Sequence, residues 1–329
     1  MKTFIDLLEV IAHSDERCVL ATIIHIEGSA YLKEGTSMII YEDGKYAGIL
    51  SASCLEEDVI IRTKEVFENE CSQTIMYDMR KEDDLSWGQG AGCNGLIYIL
   101  LEFVTVGLKD ELMLTKERLE NGKSILHKKE LSYQLSLINN LFSETAGGEK
   151  IQKNGLFMDQ VNRSLYYCCF YAPKPRIIIF GVGADAEPLV SLAFQAGFHV
   201  VLADWRPALT SKQSFLEAKE FIIGTPEEIA DQIHFSETDF VVVMSHSFLK
   251  DQQFLTRVID KEWKYLGILG PKERTMRLLN KKYIPGSVSS PAGLSIGARG
   301  PNEIAVSIMA EIIQKLRLSE RKSVKNDFI

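Results

Sequence analysis

The sequence predicts an α/β protein: a C-terminal parallel sheet with helices on both faces, preceded by an N-terminal α+β domain. Three observations carry this. From Arg176 on, short apolar runs such as Ile177-Ile-Ile-Phe180 and Phe240-Val-Val-Val-Met244 alternate with helical patterns, as parallel strands covered on both faces do. Gly181-Val-Gly183-Ala-Asp-Ala186 has the form G-x-G-x-x-A and sits between a strand and a helix, the context of a Rossmann-like turn. Residues 1–103 instead give β-rich runs around one hairpin turn.

The elements follow in order. Phe4, Leu7, Leu8 and Ile11 recur at helical spacing and predict an amphipathic N-terminal helix. Strands are expected at 18–26, 37–41 and 45–50. Glu42-Asp43-Gly44 turns between the last two, because Asp-Gly tolerates positive φ. A helix over 54–69 and strands at 73–79 and 96–103 complete the first domain. Residues 104–173 form a mixed connecting segment packed with it, with a helix near 109–120, a turn at 146–149 and strands at 155–159 and 164–170. Ala172-Pro173-Lys174-Pro175 reads as a linker, since two prolines continue neither a helix nor a central strand. The Rossmann-like domain, 174–318, has strands at 176–180, 199–203, 219–223, 239–244 and 264–269. Its helices are expected at 185–196, 226–233, 248–258, 271–281 and 302–317. A polar tail, 319–329, is expected to fray.

Length and charge narrow the function. At 329 residues the chain suits about two domains. Its net charge of −8 argues against a general nucleic-acid binder or a polybasic membrane-surface protein. No run reaches the ~18 uninterrupted apolar residues of a membrane span. Asp6 and Glu9 interrupt any signal-peptide core, so a cytoplasmic location is expected. Six cysteines occur without a Cys-x-x-Cys pair, so they read as free thiols rather than a zinc ribbon.

Several places carry chemistry. Gly28-Ser29, Lys33 and Gly35 form one polar, glycine-bearing stretch, and Ser51-Ala-Ser-Cys54-Leu-Glu56 another. Ser53 and Glu56 fit a capping box, with Cys54 as the first helical residue. Helix N–H groups there would favour its thiolate; the alternative is a cap alone, with Cys54 in the core. Trp87-Gly-Gln-Gly-Ala-Gly-Cys93-Asn94-Gly95 can wrap a ligand with backbone N–H groups and offer one soft sulfur, or can be a plain connection. In the C-terminal half, Gly181 and Gly183 suit a phosphate. Asp204 stands where a ribose-binding acid belongs, and Arg206 could meet a 2′-phosphate. Asp185 would repel a pyrophosphate at that helix start, and the turn could merely pack. His246 follows a strand's carboxyl end and could contact a ligand or donate a proton. Lys272 and Arg274 could meet an anion or be surface charge.

Together these residues resemble the XdhC/CoxI family, the xanthine dehydrogenase accessory factors. The resemblance runs through Gly28-Ser29, Gly35, Cys54-Leu55-Glu56, Trp87-Gly88 and Cys93-Asn94-Gly95. It continues through Gly181-Val-Gly183, Asp204-Trp-Arg206-Pro207, Ser245-His246, Ser290-Pro291-Ala-Gly293 and the run Glu303–Glu311. It implies a molybdenum-cofactor chaperone that holds molybdopterin while its sulfur is installed by a cysteine desulfurase. Delivery would be to a xanthine dehydrogenase-type molybdenum hydroxylase of purine catabolism. It further implies a homodimer with no catalysis of its own, and contact between Cys93 and the molybdenum cofactor. Where the family usually has glycines before Cys-Leu-Glu, this chain has Ser51-Ala52-Ser53. Two other functions fit the residues: an NAD(P)-dependent oxidoreductase with His246 as acid/base, and a nucleotide-sensing interaction platform.

Overall fold

A computed structural model describes residues 3–51, 55–80, 94–145, 154–159, 164–208 and 215–323. The chain divides into two compact units, Met1–Pro173 and Lys174–Ile329.

In the first unit, α1 (Phe4–Ala12) starts at a capping box: Thr3 Oγ accepts from the Asp6 N–H, and Asp6 accepts from the Thr3 N–H. It buries Ile5, Leu7, Leu8 and Ile11, while Phe4 stacks on Tyr171 at 3.7 Å between ring centroids. Strands β1 (Cys18–Ser29), β2 (Ser37–Tyr41), β3 (Tyr46–Gly48), β4 (Gln73–Asp78) and β5 (Asn94–Phe103) form an antiparallel sheet ordered β3-β2-β1-β5-β4. Helix α2 (Glu56–Asn69) lies between β3 and β4 in sequence. Strand β1 buries both faces, so its pattern is a continuous apolar run. Val19, Ala21 and Ile23 pack toward Val59, Val66 and Phe67 of α2. Cys18, Leu20 and Ile24 pack on the other side with α1.

That second core also takes α3 (Val106–Glu120) and a four-stranded antiparallel sheet. The strands are β6 (Ser124–Leu131), β7 (Leu137–Thr145), β8 (Gly155–Asp159) and β9 (Ser164–Tyr171), ordered β7-β6-β9-β8. Strands β6 and β7 are not among the elements the sequence predicts for 104–173. A buried ionic network joins the two sheets. Lys129 Nζ of β6 donates to Glu102 of β5 and, at 3.3 Å, to Asn140 Oδ1 of β7. Asn140 Nδ2 donates to the other Glu102 oxygen at 2.5 Å, and Nε2 of His127 is 2.7 Å from Asn140 Oδ1.

The second unit is a parallel sheet of β10 (Arg176–Phe180), β11 (His199–Asp204), β12 (Glu220–Ile223), β13 (Phe240–Val243), β14 (Tyr265–Ile268) and β15 (Val288–Ser289). Their order, β12-β11-β10-β13-β14-β15, is the Rossmann order and reverses between β10 and β13. Helices α4 (Glu187–Gln195) and α8 (Gly300–Ser323) cover one face. The other face takes α5 (Pro226–Gln232), α6 (Phe248–Val258) and α7 (Lys272–Leu278). The α/β class and the helices on both faces are therefore as the sequence predicts. Helix α8 corrects one expectation: it starts two residues earlier than 302 and continues to Ser323, so the polar stretch from Ser319 begins as helix. Among the described residues, no helix is long and apolar enough to cross a membrane.

Candidate functional site

In the first unit, sheet register brings together two stretches that are remote in sequence. Gly28 pairs with Gly95, and Ser29 with Asn94. A Cβ on Gly95 would lie 2.5 Å from the Glu27 carbonyl oxygen and 2.8 Å from that of Ser29, so the strand is glycine there by necessity. Gly28 has φ +88°, a left-handed backbone conformation that favours glycine, within the last paired residues of β1. The Met79 N–H donates to the Gly95 carbonyl at 2.9 Å and ties in the end of β4. Strand β4 ends and β5 begins beside the end of β1; β2 begins and β3 ends toward the same end of the sheet but further back along β1, opposite Thr22 and Ala21. The described flanks of 30–36, 49–55 and 79–93 therefore face the same end of the sheet, those of 49–55 about seven residues back along β1 from Gly28. Cys54, Trp87 and Cys93 lie outside the described residues.

Glu56 does something other than capping. Helix α2 starts at Glu56 itself with Leu55 as N-cap and no side-chain cap, so Cys54 is not its first residue. The Glu56 carboxylate is buried and reaches back along the chain. It accepts from the N–H of Leu50 (2.9 Å), Ser51 (2.8 Å) and Leu55 (3.2 Å) and from Ser51 Oγ (2.6 Å). Burial pushes its carboxyl pKa up, but the bonds from Ser51 and Leu50 outweigh this and hold it below the ordinary value. Glu56 thus fixes the chain on both sides of 52–54.

Lys33 is exposed beside this edge. Sequence reasoning passed over Arg80, whose guanidinium grips Asp78 at 3.0 and 3.1 Å just ahead of 81–93. It also passed over Tyr98, which donates to Glu27 at 3.3 Å, with His25 against its ring at 5.6 Å. The signal available was an Asp-x-Arg six residues ahead of the glycine-rich stretch. Among the described residues, no three potential metal ligands cluster.

The second unit's site lies where strand order reverses. Gly181 has φ +96°, and a Cβ on it would meet Ser245 Cα at 2.2 Å, so the turns after β10 and β13 touch there. Asp204 is fully buried. One oxygen accepts from Arg206 N (2.8 Å) and Nε (2.9 Å); the other accepts from Val182 N (2.7 Å) and Arg206 Nη2 (2.8 Å). A carboxylate has about four acceptor positions, and these four bonds fill them. Asp204 and Arg206 therefore brace the glycine turn against each other rather than facing a ribose or a 2′-phosphate. Asp185 Oδ1 sits 2.5 Å from where a Cβ on Gly183 would be, over the backbone a pyrophosphate would approach. Its other oxygen is 2.6 Å from Nε2 of His246, which adopts φ +60°. In this arrangement the residues do not fit a dinucleotide.

Around these residues the frame is self-satisfied. Ser245 Oγ donates to buried Asp251, which also accepts from Arg274 Nη2 at 2.6 Å, so Arg274 is an internal strut rather than an anion contact. Glu311 of α8 accepts from Tyr265 Oη (2.7 Å), Ser289 Oγ (2.6 Å) and Gly293 N (2.7 Å), which fixes the 290–294 turn. A cleft of about 250 Å³ remains, with Asp185 and His246 among apolar walls from Leu189, Met244, Ile304 and Ile308.

Comparison with known proteins agrees with this architecture. Residues 177–312 match the XdhC Rossmann domain, and residues 11–78 match the XdhC and CoxI family. The chain is 39% identical to a probable xanthine dehydrogenase subunit of Bacillus subtilis, over 95% of this chain and 98% of that one. It is 24% identical to the molybdenum cofactor insertion chaperone PaoD of Escherichia coli, over 91% of this chain and 83% of that one. A crystal structure of a xanthine dehydrogenase from Bacillus halodurans superposes with a TM-score of 0.86 at 43% identity, covering 96% of both chains. With its Rossmann sheet, its N-terminal match and near full-length relatives of this similarity, the chain belongs to the XdhC and CoxI family.

Proposed function

We propose that this protein is a molybdenum-cofactor accessory protein, which binds and shields the sulfurated cofactor as cargo and delivers it to a xanthine dehydrogenase-type molybdenum hydroxylase. The observation that carries this is that the described flanks of 30–36, 49–55 and 79–93 all face one end of the first sheet. That end offers glycine backbone at Gly28, the exposed cation of Lys33 in the β1–β2 connection, and the flanks of two segments that each contain a cysteine. A phosphate-bearing cargo on a chain of net charge −8 needs such local attraction. The name of the Escherichia coli relative points the same way. In this reading Cys93, and secondarily Cys54, contact the cofactor, while Gly28, Ser29, Asn94 and Gly95 hold its phosphate and pterin. A cysteine desulfurase supplies the sulfur, the protein works as a homodimer in the cytoplasm, and it turns over no substrate of its own.

Equilibrium binding of molybdopterin to the full chain tests this, wild type against Cys93→Ala and Cys54→Ala. Saturable binding weakened by Cys93→Ala is expected. Equal affinity in the variant removes Cys93 from the site, and absence of binding by the wild type overturns the function. Light scattering at the 37.1 kDa monomer mass would remove the dimer. An NAD(P)-dependent oxidoreductase has less support, because Asp204 and Asp185 leave the glycine turn closed to a pyrophosphate and ribose.

A further inference from the structure

The four-stranded sheet β7-β6-β9-β8 turns one face to a core and leaves apolar side chains exposed on the other. Ile125, Leu131, Tyr167, Cys169 and Tyr171 point into the core shared with α1 and α3. The strand period of two therefore puts Leu126, Lys128 and Glu130 of β6 on the opposite, outer face, with Tyr166, Cys168 and Phe170 of β9. Phe157 of β8 and Leu141 of β7 join them and are 43% and 45% exposed. None of these side chains belongs to a core cluster among the described residues. Register arranges this face in rows. Lys128, Cys168 and Gly155 stand side by side on β6, β9 and β8, and Glu130, Tyr166 and Phe157 form the next row. The two rows are opposites, strand by strand: cation against anion on β6, small side chain against large on β9, no side chain against a ring on β8. A Cβ on Gly155 would meet nothing within 4 Å, so the space above it is open. Complementarity between neighbouring rows of one face is what a two-fold axis needs, because the same patch then meets itself. A chain of net charge −8 also meets its own copy most easily where charges balance, as they do in these two rows.

We propose that this outer face is the homodimer interface, its occupant the same face of a second copy; this rests on the homodimer in the proposed function. The two-fold axis runs across the strands between the two rows. Lys128 of each copy then faces Glu130 of the other, and Phe157 of each faces the open space over Gly155 of the other. Tyr166 meets Cys168 in the same way. Leu126, Leu141 and Phe170 add apolar surface around these pairs. Stacked sheets lie about 10 Å apart, a gap that the long Lys and Glu side chains bridge.

Light scattering on the full-length chain, with charge variants alone and mixed, tests this. The wild type should give twice the 37.1 kDa monomer mass. Lys128→Glu makes the two rows wholly negative and Glu130→Lys makes them wholly positive, so each variant alone should fall to the monomer mass. Mixed in equal amounts, the two should regain the dimer mass, and added salt should weaken that pairing. An effect of either charge within its own chain gives no such rescue on mixing. Phe157→Ala, which changes no charge, should raise the dimer dissociation constant at least about tenfold. Variants are compared only where far-UV circular dichroism and melting match the wild type. A dimer that persists in both charge variants, a mixture that stays monomeric, or indifference to Phe157→Ala overturns this interface and leaves the homodimer standing. A monomeric wild type overturns both. No cofactor is among the probes, so the outcome is independent of the cargo site.

Discussion

Glu56 shows how one side chain can pin both ends of a short stretch of chain. Its carboxylate gathers three backbone N–H groups and one hydroxyl from the chain on either side of 52–54. Glu56→Gln should cost about 1–3 kcal/mol, since buried donors lose a charged acceptor. The sign of its pH dependence follows from the depressed carboxyl. The stabilisation is present above the unfolded-state value near 4.5 and is lost as pH falls through the lower folded-state value. Urea midpoints of wild type and variant should therefore differ at neutral pH and converge in acid; a constant gap would show that the lost bonds are not ionic. Residue roles were the least legible part of the sequence. Asp204 follows a strand where a ribose-binding acid would stand, and only burial and its four donors reveal a brace. Ser53 and Glu56 match a capping box in spacing, but Glu56 turns toward Leu50 and Ser51.

At the scale of elements, pattern reading missed β6, β7 and the two-residue β15, and β6 is the one with charge inside. Ile125, His127, Lys129 and Leu131 of β6 all face inward, so two of four core positions carry polar residues and the apolar alternation is hidden. Strand β13, apolar throughout, and β10, apolar after Arg176, were plain. Register was not visible either: nothing in the sequence shows that Gly28 lies opposite Gly95. The β6 network gives two expectations. Lys129→Met alone leaves Glu102 buried without its partner and should cost about 3–5 kcal/mol, much of it recovered with Glu102→Leu added. His127 is buried beside Lys129, and both burial and that charge hold its pKa well below the usual value. Its unfolded-state pKa is higher, so stability is full above about 6.5 and falls as pH drops below it. Between pH 7.5 and 5.5 the wild type should lose stability more steeply than His127→Gln, by up to about 1.4 kcal/mol per pH unit. Parallel slopes in denaturant titrations would reject this.

For the whole molecule, the two units each hold cores of their own: two around the Rossmann sheet, two around the first sheet. Proteolytic cleavage in 172–175 should release a second unit that keeps its circular dichroism and melts cooperatively; a fragment without a transition would show that it depends on the first. Fold class was legible because strand–helix alternation and the glycine turn are local signals, whereas cooperation between segments is not. The Glu102–Lys129–Asn140 network makes that cooperation physical. It spans β5 of one sheet and β6 and β7 of the other, so sliding either sheet by a single residue would strand a charge away from water. Residues 104–173 consequently cannot peel away as an independent flap while 1–103 stays native. Cutting any one of the network's three side chains should therefore loosen both sheets together rather than free residues 104–173 alone.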